Sequence, residues 1–149
     1  MSLESNVMAL IKNAMKEKNE TALRALRAVK AALLEAKTAS NAEQIDEKAE
    51  AKIIHRMIKQ RKDAAAIFNE QNRGDLAKIE EEEMAVLEQF LPKQLTDAEL
   101  ETAIQTIINQ VNAKSPADIG KVMGVASKSL AGQAEGAAIA QKVKQLLNM

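Results

Sequence analysis

The chain is 149 residues long, 46% hydrophobic, without net charge at pH 7 and without cysteine, a composition that suits one ordinary domain or two small ones. The missing thiols exclude a cysteine nucleophile, a cysteine-ligated zinc site and an iron–sulfur centre. A balance of 21 basic and 21 acidic residues argues against a strongly basic nucleic-acid binder, though not against a local patch, and with Phe68 and Phe90 the only aromatics no platform exists for stacking unpaired bases.

Leu3, Val7, Leu10, Ile11, Ala14 and Met15 recur every three or four residues, which predicts a first amphipathic helix. A second is expected from about Glu20 to Lys37, carrying Leu23, Leu26, Val29, Leu33 and Leu34, and Thr38 to Ala42 reads as a small polar loop. The third and longest is expected from about Ala42 to Asn72, with Ile53, Ile54, Met57, Ile58, Ala65 and Phe68 on one face. Gly74 is expected to end it in the left-handed conformation and Asp75 to cap the fourth helix, which makes a tight hairpin. The fourth helix carries Leu76, Ile79, Val86, Leu87 and Phe90.

Pro92 has no amide hydrogen and pushes Leu91 out of helical geometry, so the fourth helix should stop near Phe90. Thr96 followed by Glu99 has the spacing of a capping box. The fifth helix then carries Leu100, Ile104, Ile107, Ile108 and Val111. Ser115, Pro116 and Asp118 open a sixth, and Gly132 and Gly136 bracket the break before a last helix with Ile139, Val143, Leu146 and Leu147. The chain is therefore expected to be all-α: a helical N-terminal domain with a long hairpin over 1–91, a hinge at 92–96 and a small three-helix domain over 97–149.

Some residues break the apolar pattern. Arg61 and Glu83 fall on the apolar faces of the third and fourth helices and come level across the turn, which predicts a partly buried structural charge pair. Lys52, Arg56 and Lys59 form a basic row on the third helix, with Asp63 on the same side and Arg24, Arg27 and Lys30 on the second helix. That row reads as a solvated surface or as a phosphate-contacting patch. His55, the single histidine, is expected at the surface without the further ligands a metal site needs. No metal, cofactor or catalytic residue is expected.

The sixth helix turns Ile119, Val122, Met123, Ala126 and Leu130 to the core and Gly120, Lys121, Gly124, Val125 and Lys128 to the other side, with Ala117 beside them. Glycine in an exposed helix costs about 1 kcal/mol relative to alanine. Two uses could justify it: packing against the loop from Gly132 to Gly136, or close approach by an RNA or protein partner between the lysines.

Several runs carry a resemblance to a known family. Arg61-Lys62-Asp63, Asn72-Arg73-Gly74-Asp75-Leu76-Ala77 and Leu87-Glu88-Gln89-Phe90-Leu91-Pro92-Lys93-Gln94-Leu95 resemble YqeY-type proteins, as do Asp118-Ile119-Gly120-Lys121-Val122-Met123-Gly124 and Gly132-Gln133-Ala134-Glu135-Gly136. The resemblance implies a C-terminal domain similar to the tail of the B subunit of the tRNA-dependent glutamine amidotransferase, which helps grip the tRNA elbow. Lys121, Gly124 and Lys128 match the glycine-lysine motif of that tail. It also implies an accessory, tRNA-associated role beside an amidotransferase or another translation-related protein. Carbon–nitrogen ligase activity would belong to a complex, because this chain has neither the amidase Ser-Ser-Lys set nor a glutaminase cysteine. The alternative is a protein-interaction adaptor with no RNA ligand. The N-terminal Met-Ser-Leu-Glu-Ser-Asn lacks the regions of a signal peptide, and no apolar run approaches the roughly 20 residues of a membrane helix. A cytoplasmic chain without membrane contact is expected.

Overall fold

A computed structural model describes residues 2–148. The described residues are helical with no strand among them, and the chain divides into two compact units, one ending at Leu91 and the next beginning at Pro92.

The first unit holds α1 (Leu3–Glu17), α2 (Glu20–Ser40), α3 (Glu47–Glu70) and α4 (Gly74–Glu88). α1 packs along α2 and α3 along α4, and α2 joins the two hairpins by lying against α4. An ion pair between Lys37 and Glu4 ties the end of α2 to the start of α1. The core gathers Val7 from α1, Leu26, Val29 and Leu33 from α2, Ile53, Ile54 and Met57 from α3, and Leu87 from α4. Burying such side chains is worth roughly 1.5–3 kcal/mol each and is what holds the hairpins together.

Two helix boundaries depart from the sequence expectation. α2 runs on through Thr38 and Ser40, whose hydroxyls donate to the Leu34 and Ala36 carbonyls at 2.9 Å each. The polar residues expected to form the loop are absorbed into the helix by these back-bonds. The loop shifts downstream, and α3 begins at Glu47 rather than near Ala42 because the Asp46 carboxylate accepts from the Ala49 amide at 2.8 Å.

The turn between α3 and α4 also differs. Asn72, with φ 58°, takes the left-handed position expected for Gly74, and the Arg73 amide donates to the Phe68 carbonyl at 2.7 Å. Gly74 is the first residue of α4, and Asp75 stands inside the first turn, where its carboxylate receives Arg73 Nε at 3.1 Å and Nη2 at 3.0 Å. Asparagine tolerates this backbone region because its short side chain hydrogen-bonds locally. Asn41 ends α2 in the same way, with φ 52°.

The second unit holds α5 (Asp97–Gln110), one 3-10 turn (Pro116–Asp118), α6 (Ile119–Ser129) and α7 (Gly136–Leu146). α5 starts in a capping box: the Glu99 amide donates to the Thr96 hydroxyl and the Thr96 amide to the Glu99 carboxylate, each at 3.1 Å. Its three helices pack mutually around Leu100, Ile104, Val122, Ala126, Ile139 and Val143. Lys142 Nζ lies 3.0 Å from Asp97 Oδ1 and pins α7 to the first turn of α5.

The segment entering α5 is tied down as well. The Leu95 amide donates to the Gln133 carbonyl at 3.0 Å, and the Gln94 side chain donates to the Gly132 carbonyl at 2.6 Å and to the Pro92 carbonyl at 2.8 Å. Gly132, with φ 78°, makes the turn that presents those carbonyls.

Candidate functional site

α6 is held from its start. The Asp118 carboxylate accepts from the Lys114 amide at 2.9 Å and the Ser115 amide at 3.4 Å, and these bonds hold its carboxyl below the usual carboxylate range. Val122 and Ala126 are fully buried and Leu130 nearly so, while Gly120, Lys121, Gly124 and Lys128 are exposed. A Cβ added at Gly120 or at Gly124 would meet nothing within 4 Å. The internal use of these glycines, packing against the Gly132 to Gly136 loop, is therefore not the one the fold makes of them. Val125, expected on this outer side, is half-buried and packs against the core of the unit, because its place at the edge of the arc lets a branched side chain fold inward. The open face is thus a shallow strip along Gly120 and Gly124. Lys121 and Lys128 edge it, with Lys121 Nζ 3.8 Å from Asp118 Oδ1.

In the first unit Glu83 is the one buried charged residue among those described, 5% exposed. Arg61 Nε lies 3.8 Å from its Oε1 and Arg24 Nε 3.9 Å from its Oε2. The two arginines differ in setting: the Arg61 side chain is 15% exposed and that of Arg24 is 56% exposed. Arg61 also donates through Nη1 to the Met57 carbonyl at 3.1 Å, whereas its buried Nε has no hydrogen-bond partner. Burial pushes the Glu83 carboxyl above the ordinary range; Arg61 and Arg24 pull it back, and Glu80 adds to the rise. Arg24, which the sequence grouped with a basic surface, is thus a second counter-charge for Glu83.

Residues 4–147 match the family described as Yqey-like protein. The chain belongs to that family. Among curated proteins none matches this YqeY-like chain.

The other features of this YqeY-like protein lie on α3 and beside the loop that precedes it. Lys52, Arg56 and Lys59 are all exposed, and none of them has an ion pair with a carboxylate among the described residues. His55 is half-buried rather than exposed; it stands only one helical step from the buried Ile54. No group of three or more His, Asp or Glu among the described residues could hold a metal ion. A cleft of about 300 Å³ opens between the start of α1, the end of α2 and the start of α3, with Glu4, Glu43, Glu50 and Lys37 among its lining. Burial, with Glu47 and Asp46 nearby, raises the Glu50 carboxyl there. Nothing in the sequence pattern marked this cleft, because its walls come from three separate segments. No helix of the described residues is long and apolar enough to cross a membrane.

Proposed function

We propose that this YqeY-like protein is a tRNA-associated accessory factor whose second unit docks structured tRNA on the Gly120–Gly124 strip of α6. The observation that carries the reading is the empty space above both glycines on an exposed face edged by lysines. A helix that forgoes a Cβ there gains nothing from its own fold, and a partner backbone can approach closely. Lys121 and Lys128 would supply charge to phosphates flanking that approach. The resemblance of this unit to the tRNA-gripping tail of the amidotransferase B subunit supports the same assignment. The contribution is one of binding and positioning: any carbon–nitrogen ligase chemistry belongs to a complex, since the chain has no cysteine to release ammonia from glutamine.

The test is a tRNA titration at low and moderate salt with the wild type and a Lys121→Glu, Lys128→Glu variant. Salt-sensitive binding that the variant loses supports the reading. Absent affinity, or affinity unchanged in the variant, overturns it. Salt-insensitive capture of a protein partner with tRNA indifferent would instead favour an adaptor.

A further inference from the structure

We infer that α3 carries a second, separate polyanion site: a row of Lys48, Lys52, Arg56, Lys59 and Lys62 that grips the phosphate backbone of a nucleic-acid duplex. This goes beyond the α6 reading and does not rest on it, because the row lies in the other unit. At 100° per residue the five fall within about a third of the helix circumference, opposite the buried Ile53, Ile54, Met57 and Ala65. All five are exposed, and among the described residues none has an ion pair with a carboxylate. Of the acidic residues of α3, Glu47 and Glu50 lie toward its other sides; Asp63 shares its side, but stands at the end of the row beside Lys62 and leaves the stretch from Lys48 to Lys59 uninterrupted.

The shape of the row fits a linear polyanion. Steps of three or four residues place successive cations about 4.5–6 Å apart along an axis of roughly 21 Å. A protein partner is the poorer fit. Interfaces between proteins deplete lysine and depend on buried aromatic or aliphatic anchors, and this row holds four lysines and no large apolar side chain. A duplex is favoured over a single strand because both aromatics, Phe68 and Phe90, are half-buried and none is displayed for stacking.

The test titrates the full chain with a blunt RNA duplex two turns long at salt between about 50 and 200 mM. Four proteins are compared: the wild type, a Lys52→Gln, Arg56→Gln, Lys59→Gln variant, a control with the same charge change (Lys12→Gln, Lys16→Gln, Lys144→Gln), and the Lys121→Glu, Lys128→Glu variant. The substituted α3 positions are exposed, and glutamine has similar helix propensity, so folding is preserved. The expected result is a loss of about tenfold or more in the α3 variant, with the salt slope falling by about one unit per cation removed. The control should keep most of its affinity. The α6 variant should retain the part of the slope that belongs to α3, which separates the two sites. An α3 variant that binds like the control overturns the inference. So does competition by polyglutamate as effective as that of the duplex, which would assign the row to acidic proteins.

Discussion

Glu83 Oε1 stands 3.8 Å from Arg61 Nε, with both side chains largely withdrawn from solvent. At that separation the charges attract without a hydrogen bond to fix them, and burial outweighs the attraction, so the carboxyl is raised. The folded chain consequently holds this proton more tightly than the unfolded chain, whose glutamates titrate near about 4.3. Stability from this group is complete below that value and is lost as pH rises through the folded pKa. Urea denaturation of the wild type and of Glu83→Gln across pH 4–7 checks the sign. The wild type should lose ground to the variant as pH rises, while the variant carries a cost at every pH from the Arg61 charge it leaves without a buried carboxylate. A difference that stays constant, or that moves the other way, contradicts this account.

Removing the buried arginine has the opposite consequence. Arg61→Met leaves Glu83 with Arg24 alone, at 3.9 Å and well exposed. A loss of about 3 kcal/mol is expected, as for stripping one partner from a buried pair. Adding Glu83→Gln to the same chain should restore most of it. A double variant no more stable than Arg61→Met would show that packing of the arginine stem, not charge, is what counts.

Thr96 and Glu99 close the capping box of α5, and these bonds hold the Glu99 carboxyl below its usual range. Thr96→Ala should cost about 1 kcal/mol. For Glu99 the sign is the reverse of Glu83: its contribution is present above the unfolded value and is lost as pH falls through the folded one. The acid midpoint of thermal unfolding, compared between wild type and Glu99→Gln, reads this directly.

Gly124 lies inside α6 with open space where a Cβ would stand. Gly124→Ala should therefore stabilise the second unit by about 1 kcal/mol, and Gly120→Ala by less, because Gly120 is in the first turn. If the strip receives a partner backbone, the same methyl groups should weaken binding. Thermal unfolding and tRNA titration of one double variant read both effects. A more stable protein with undiminished binding would leave the glycines without a docking role.

Asn72 turns the chain between α3 and α4 at φ 58°. Asn72→Gly should be tolerated, whereas Asn72→Val should cost about 1–2 kcal/mol because a branched side chain clashes with its own backbone there. Equal stability of the two variants by denaturant titration would refute this.

Helix existence and type were legible wherever apolar spacing persisted for several turns, as in the run from Leu100 to Ile108, and the capping box could be read from two residues alone. Boundaries were less legible where two local signals competed. Thr38 and Ser40 read as loop formers, yet their hydroxyls bond back to the helix. Gly74 read as the turn residue, yet Asn72 takes that backbone position. Val125 and His55 sit at the edges of their helical arcs, where side-chain direction and neighbours decide burial and sequence spacing does not. Arg24 was missed as a partner of Glu83 because the pairing crosses from one hairpin to the other, which no spacing within a helix reports. The openness above Gly120 and Gly124 is of the same kind: spacing shows that a glycine is there, and only tertiary structure shows that among the described residues no atom comes within 4 Å of where a Cβ would stand.

The hydrogen bonds from Gln94 and Leu95 to the loop before α7 decide where the second unit can be cut out. Of the residues expected to act as a hinge, these two are fastened to Gly132 and Gln133 and belong to the unit that follows them. A fragment beginning at Thr96 would keep the cap of α5 but strip those carbonyls of their donors. A fragment beginning at Pro92 carries its own strap, and it is the piece to make when the α6 face is to be studied alone.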